Sequence, residues 1–471
     1  MSTQSIHESV RKAIKRARVA QAEAESWKQA RVDDVVAAVG WRCYREENAR
    51  RLARLSHEET RLGDAEHLYA LQRKRVLGML HDLHGQATVG VVEEIPHLGL
   101  RKIAKPMGVI AAASPATAPS PGIICNALPM LKTRNAVVFT PNPRARKVAD
   151  ETVAHIRAAL EDVGAPADLV QCLDVSGREA AQELMAAADL VVAVGGKGTV
   201  RRAYLSGTPA IGAGVGNPTV IVDETSDFRE AARRIQWGAG YNNGTSCSAE
   251  SNVLVHRSIA DEFRAELLRS GAYVCTSVET KEVQNVLWPA GENLNRDLIG
   301  QSADVIAAAA GITLEEPDKT TALVLECDDP RADSPILLEK LSPVVTLCVY
   351  DDFNHAVESV KLIEDRCGRG HSCGIYSERS ERVAHLAEQI PTSRVVVNQS
   401  TMTNSGSFES GVPFTTTLSS GSWGGCSVSG NVTWREYMNH TTVSWPIEER
   451  RADEALIFGR HWANMDVQAS R

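Results

Sequence analysis

No stretch of this chain approaches the ~18 consecutive apolar residues that a membrane-spanning helix needs. The stretch Met1 to Trp27 is charged and polar and lacks the apolar middle of a secretory signal. Neither a membrane span nor export is expected. Cysteine occurs ten times but never as Cys-x-x-Cys, which removes the spacing of a zinc knuckle or a dithiol redox site. No metal site is expected, and the thiols should be free in a reducing, cytoplasmic compartment. Positive charge is in deficit, with 51 Lys and Arg against 59 Asp and Glu. That balance disfavours non-specific binding to nucleic acid or to an anionic membrane surface. Internal repeats and low-complexity tracts are also missing. What is there is an ordinary globular composition, 43% apolar and 23% charged over 471 residues, long enough for more than one core.

The first 85 residues read as helix. Ile6, Val10, Ala13 and Ile14 follow helical spacing, and Val35, Val36 and Val39 begin a second stripe. Charges of both signs alternate through Arg42 to Asp82, as on solvated faces. The basic cluster Arg11, Lys12, Lys15, Arg16 and Arg18 reads the same way. From Ala87 the pattern changes. Thr88–Glu94 and Gly99–Ala104 read as a strand and its return. Short β-rich runs then alternate with helical stretches, among them 136–140, 190–194, 219–222, 252–255, 322–326, 344–350 and 394–397. Strand, helix, strand predicts an α/β fold with a mostly parallel sheet covered on both faces. The segment 398–429 is different, being rich in Ser, Thr, Gly and Asn, and reads as a long functional loop.

The sharpest site is Tyr241-Asn242-Asn243-Gly244-Thr245-Ser246-Cys247-Ser248-Ala249-Glu250, between a predicted helix and a predicted strand. Small residues around one Cys allow close approach and leave backbone amides free. That suits a thiolate attacking a carbonyl, because the developing oxyanion needs fixed N–H donors. Spacing alone also allows a buried Cys in an Asn-Gly turn.

Several motifs carry a resemblance. They are PMGVIAAASPATAPS (106–120), LKTRNAVVFTPNPRA (131–145), VAVGGKGTVRRAYLSGTPAIGAGVGN (192–217), NNGTSCSAE (242–250), EKLSPV (339–344), GRGHSCGIY (368–376) and SGSWGG (420–425). As a set they resemble the aldehyde dehydrogenase superfamily over about 100–445, specifically its CoA-acylating branch. Within that branch the chain is most similar to sulfoacetaldehyde and succinate-semialdehyde dehydrogenases. The resemblance implies a Rossmann-like cofactor domain at 1–223, a catalytic domain at 224–430, and an oligomerisation element. The last is made from the hairpin 87–104 and the strand and tail in 431–471, giving a homodimer or homotetramer.

Carried over residue by residue, Cys247 takes the place of the nucleophile. Thr117, in Ser114-Pro115-Ala116-Thr117-Ala118-Pro119, takes the second oxyanion position beside the Cys247 amide. Gly195 and Gly196 match the glycine turn that approaches the nucleotide pyrophosphate, with Gly214 nearby. Glu339 matches the acid that binds the nicotinamide-side ribose. Thr140, Pro141 and Arg144 stand where a Lys-Pro-x-Glu pattern holds the adenine ribose, a departure that leaves both NAD and NADP open. His371 matches a histidine of the acylating branch that would assist the CoA thiol, with a structural histidine as the bland alternative. Trp423 and Gly424, with the hydroxyls of 398–429, are expected to receive a small anionic aldehyde.

One absence bears on the reaction. Hydrolytic relatives carry Glu-Leu-Gly-Gly before the catalytic Cys, and that Glu activates water. Here the stretch is Gly212-Ala213-Gly214-Val215-Gly216-Asn217, with no acid. Without a general base, coenzyme A rather than water should take the acyl group. The implied activity is NAD(P)-dependent oxidation of a small aldehyde to its acyl-CoA through a cysteine thioester. The alternatives are a hydrolytic enzyme, with Glu250 as its base, and a microcompartment-associated acetaldehyde or propionaldehyde dehydrogenase. A non-catalytic scaffold bound through Ser5–Trp27 is the reading from another class.

Overall fold

The structure is a computed structural model, and it describes residues 3–463. Four helices open the chain: α1 (Thr3–Glu25), α2 (Gln29–Tyr44), α3 (Glu46–Thr60) and α4 (Ala65–Leu83). The stripe Ile6, Val10, Ala13, Ile14 of α1 is buried, as its spacing predicts. Part of the basic cluster does more than meet solvent. Arg16 donates to Gln171 Oε1 at 2.8 Å and Arg18 pairs with Asp189 at 3.0 Å, tying α1 to the first parallel sheet.

Strands β1 (Gly90–Ile95) and β2 (Leu100–Pro106) form an antiparallel hairpin. Next come β3 (Val109–Ser114), the fully buried helix α5 (Pro119–Lys132), β4 (Ala136–Pro141), β5 (Val170–Cys172), β6 (Leu190–Val194) and β7 (Ala210–Ala213). These five strands make an all-parallel sheet in the order β5-β4-β3-β6-β7. A second all-parallel sheet takes β8 (Thr219–Val222), β9 (Asn252–His256), β10 (Ala272–Val274), β11 (Ala322–Cys327), β12 (Val344–Tyr350), β13 (Cys373–Tyr376) and β14 (Val395–Val397). Its order is β10-β11-β12-β9-β8-β13-β14. Because β8 lies between β9 and β13, the chain passes from the first sheet to the second between Ala213 and Thr219, slightly before the boundary expected at 223.

The second sheet is buried on both faces. Ile221, Leu254 and Leu325 point into one apolar cluster, while Val220, Val222, Val253 and Val255 point into another. This is the period-2 alternation of a strand covered by helices on each side. The strands β5, β7 and β10 and the helices Ser277–Leu287 and Ala303–Ala309 were not expected from the pattern. The three strands are three or four residues long, too short to carry a period.

The stretch 398–429 is not the open loop its composition suggests. It holds β15 (Leu418–Ser420) and reaches β16 (Ser429–Asn431), and many of its hydroxyls are buried, among them Thr401, Thr417 and Ser419. Thr417 Oγ1 donates to Asn126 Oδ1 at 2.7 Å, and Ser419 Oγ to the Gly212 carbonyl at 2.7 Å. Finally β17 (Met438–Ser444) pairs with β2, giving a separate sheet in the order β1-β2-β17. Among the described residues no helix is long and apolar enough to cross a membrane.

Candidate active site

In the first sheet the strand order reverses between β3 and β6. A crevice opens at such a point, beyond the carboxyl ends of the strands, and that is where open α/β sheets bind ligands. A cavity of about 740 Å³ lies there. Its wall takes Ser114 to Ala118 after β3, Thr140 to Arg144 after β4, Ser176 to Arg178 after β5, Gly195 and Gly196 after β6, and Gly214 after β7. Gly196 precedes the helix Lys197–Tyr204, so free amides at that helix start face the crevice. Across the cavity stand Cys247 and Glu339, which precede the adjacent strands β9 and β12. The cavity therefore lies between the carboxyl ends of one sheet and the amino ends of the other. Thr117, Thr140, Pro141, Arg144, Gly195, Gly196, Gly214, Cys247 and Glu339 all line it.

The turn before Cys247 is unusual backbone. Asn242 and Asn243 both sit at φ +52°, and Gly244 follows at φ +62°. Asn tolerates this left-handed region because its short side chain bonds locally. Asn242 does so fully: its Nδ2 donates to Thr245 Oγ1 at 2.6 Å and its Oδ1 accepts the Asp64 N–H at 2.9 Å. The turn is thereby pinned to the start of α4. At Gly244 a Cβ would overlap the Ser342 carbonyl oxygen, so the backbones meet without a side chain between them. Gly216 is held against the nucleophile in the same way, since a Cβ there would lie 2.8 Å from Cys247 Cβ and overlap its carbonyl.

Burial pushes the Cys247 thiol up to about 11, and the nearby Glu339 carboxylate adds to the rise. Arg75, Arg394 and the Ser248 hydroxyl work in the opposite direction. Burial likewise pushes Glu339 up to about 8, against a 3.1 Å hydrogen bond from the Gly216 N–H. Among the described residues Glu339 is the only carboxylate that lines the cavity, whereas five arginines do so: Arg75, Arg144, Arg178, Arg202 and Arg296.

Three sequence expectations change. His371 does not line the cavity. It is 1% exposed, its Nδ1 lies 2.8 Å from Ser372 Oγ, its Nε2 has no partner, and burial lowers its pKa to about 3, so the ring is neutral. A polar chain still joins it to the nucleophile's neighbour: Ser372 Oγ meets Asn404 Nδ2 at 2.8 Å, and Asn404 Oδ1 meets Ser248 Oγ at 2.6 Å. Trp423 and Gly424 also lie outside the wall; Thr415, Thr416 and Leu418 take their place. The third change concerns the missing acid. Gly212 is not in the wall either, and a Cβ there would lie 2.7 Å from Val200 Cγ1 and 3.0 Å from Tyr204 Cε2. An acid at 212 would run into that helix. Glu250 does not substitute for it: it is buried behind the wall, where its Oε1 accepts the Thr401 N–H at 2.7 Å.

Sequence reasoning missed the other side of the cavity. Leu71 and Arg75 come from α4, Asn126 from α5, Arg296 and Ile299 from the segment before Gly300, and Met402 and Thr416 from the polar stretch. Arg75 sits in Gln72-Arg73-Lys74-Arg75, a run that reads as solvated helix face. No local signal separates it from its neighbours.

Comparison with known proteins agrees with this geometry. The profile described as the aldehyde dehydrogenase family matches residues 2–285. The sulfoacetaldehyde dehydrogenase (acylating) of Bilophila wadsworthia is 38% identical over 95% of this chain and 97% of its own length. The succinate-semialdehyde dehydrogenase (acetylating) of Clostridium kluyveri is 37% identical over 93% and 96%. Among solved structures, an acetylating aldehyde dehydrogenase from Geobacillus thermoglucosidasius superposes with a TM-score of 0.91 at 30% identity, covering 96% of this chain and 99% of that one. The propionaldehyde dehydrogenase of Rhodopseudomonas palustris, solved with bound CoA and an acylated cysteine, superposes with a TM-score of 0.83 at 25% identity, covering 93% and 97%. A family profile over more than half of the chain and relatives that match nearly end to end agree, and the chain belongs to the aldehyde dehydrogenase family.

Proposed function

We propose that this chain is a CoA-acylating aldehyde dehydrogenase that converts a short anionic aldehyde to its acyl-CoA with NAD(P)+. The observation that carries this is the wall of the cavity: one thiol, one carboxylate already engaged by a backbone amide, and no acid placed to activate water.

The crevice fits a dinucleotide. Gly196 leaves open space where a side chain would stand, the helix start at Lys197 offers free amides, and Glu339 can accept from a ribose hydroxyl. Arg144 and Arg178 stand at the strand ends, where a 2′-phosphate would find cations. The Cys247 thiolate adds to the aldehyde carbonyl. The oxyanion receives the Cys247 amide and the Thr117 hydroxyl. A nicotinamide held against Gly195, Gly196 and Glu339 would supply the hydride acceptor for the hemithioacetal carbon, which would leave Cys247 as a thioester. Coenzyme A, as its thiolate, then attacks the thioester carbonyl, Cys247 departs as thiolate, and acyl-CoA is released. Covalent catalysis separates oxidation from acyl transfer into two easier steps.

The three-stranded sheet β1-β2-β17 supports an oligomerisation role, because β1 and β17 are both edges and Val91, Trp445 and Ile447 beside them are exposed. Product analysis tests the assignment. Sulfoacetaldehyde, succinate semialdehyde and propionaldehyde, each supplied with NAD(P)+ and coenzyme A, should yield acyl-CoA. Free acid formed at full rate without coenzyme A would make the enzyme hydrolytic.

A further inference from the structure

We propose that Arg75 is the anion-binding residue of the aldehyde pocket, selecting substrates that carry a sulfonate or carboxylate at the end remote from the aldehyde; this rests on Cys247 being the nucleophile. Arg75 is one member of an α4 stripe, Leu71, Arg75, Gly78 and Asp82, spaced to share one face of the helix. The helix is anchored on both sides of Arg75. Gln72 Nε2 donates to the Cys43 carbonyl at 3.0 Å and its Oε1 accepts from Ser120 Oγ at 2.9 Å. Further along, the Asp82 carboxylate accepts the Phe414 N–H at 2.6 Å, and Gly78 leaves room only for the Phe414 ring. Between these anchors the helix backbone is fixed, and Arg75 reaches the cavity wall.

The neighbouring Arg73 is engaged elsewhere, its guanidinium lying 4.3 Å from the Tyr44 ring centre. Arg75 has no hydrogen bond and no ion pair with any described residue. Cys125, Cys247 and Tyr241 lie close enough to favour its charge, and Lys74 on the same helix repels it. Arg75 is half-buried in the wall, and its unbonded guanidinium is open to the cavity, where a cation without a counter-charge attracts an anion. Among the described residues none is supplied, because Glu339 is the one carboxylate on the cavity wall and is bonded to Gly216. An anionic ligand in the cavity would supply the counter-charge. The phosphates of the nucleotide and of coenzyme A have other cations, Arg144, Arg178 and Arg202, on the strand-end wall. Arg75 instead shares its wall with Thr416 and Met402, and its influence falls on the nucleophile itself, while Arg296, the other arginine of that side, is exposed. The planar fork of Arg matches two oxygens of a sulfonate or a carboxylate.

The test compares wild type, Arg75→Gln and Arg75→Lys on sulfoacetaldehyde, succinate semialdehyde and propionaldehyde, with coenzyme A and NAD(P)+ present. Wild type should favour the anionic aldehydes. In Arg75→Gln the ratio of kcat/KM for an anionic over the neutral aldehyde should fall ~100-fold, mainly through KM, the loss expected for one charge-assisted pair. Arg75→Lys, which keeps the charge without the fork, should lose less. An equal fall on charged and uncharged substrates, or an unchanged ratio, overturns the assignment. If wild type makes propionyl-CoA but shows no preference for charge, this proposal alone fails. If no aldehyde gives acyl-CoA, the proposed reaction fails with it.

Discussion

The two sides of the cavity are built by different means. The side assigned to the nucleotide is made of strand ends and glycines, with Thr140 at the end of β4 and Gly195, Gly196 and Gly214 just after β6 and β7. The side assigned to the aldehyde is made of side chains that come from α4, α5, the segment before Gly300 and the polar stretch beyond Thr401. Backbone amides and a crevice at a sheet's switch point recognise a phosphate-rich ligand whatever side chains surround them. Side chains gathered from distant helices can be exchanged one at a time without disturbing the sheet. One fold can thus keep its cofactor chemistry while its aldehyde varies. Cys247 stands where the two sides meet, and it draws its environment from both.

The comparison can be broken at that meeting point first. Cys247→Ala should abolish turnover, lowering kcat by about 10³-fold or more with the fold intact by circular dichroism, because no other thiol among the described residues lines the cavity. Near-normal activity would end the mechanism. A smaller effect is expected from Gly216→Ala. The added Cβ must push the Cys247 carbonyl aside, and a shift of that size in the reacting group should cost roughly 10²-fold in kcat. A variant with unchanged kcat would mean that the turn is not tightly placed.

The third prediction concerns charge. With the thiol pushed up to about 11, the thiolate is the minor form at neutral pH, so its fraction grows as pH rises. Alkylation of Cys247 by iodoacetamide in the free enzyme should therefore quicken about tenfold per pH unit between pH 7 and pH 9. A plateau reached below pH 7 would contradict it. The smallest effect sharpens the contrast between the sides. Arg144→Ala should raise KM for NADP+ several-fold, with less change in KM for the aldehyde, because Arg144 is an exposed cation at the end of β4.

How much of this was legible in the sequence follows the same division. Strands β8 and β12 are compact apolar runs, and their limits are readable to the residue. Strand β7 (Ala210–Ala213) is four residues, three of them Ala or Gly, that become a strand by pairing with β6, so no local pattern marks it. The glycine turn and the Asn-Asn-Gly turn are visible because they bring special backbone to one place in the chain. Arg75 is invisible because its role depends on Gln72, Asp82 and Phe414 clamping a helix whose local sequence is merely charged. Gly212 shows the opposite case. Its lack of an acid is plain in the sequence, but only the packing of Val200 and Tyr204 shows that a side chain there would not reach the cavity.

The central claim is that coenzyme A, not water, releases the acyl group from Cys247. Rapid mixing of enzyme, NAD(P)+ and aldehyde without coenzyme A tests it most directly. A burst of about one NAD(P)H per Cys247, followed by slow turnover, is the signature of an accumulating thioester. Coenzyme A should then raise the steady rate and appear in the product as acyl-CoA. Full steady turnover without coenzyme A, with carboxylate as the product, would contradict the account.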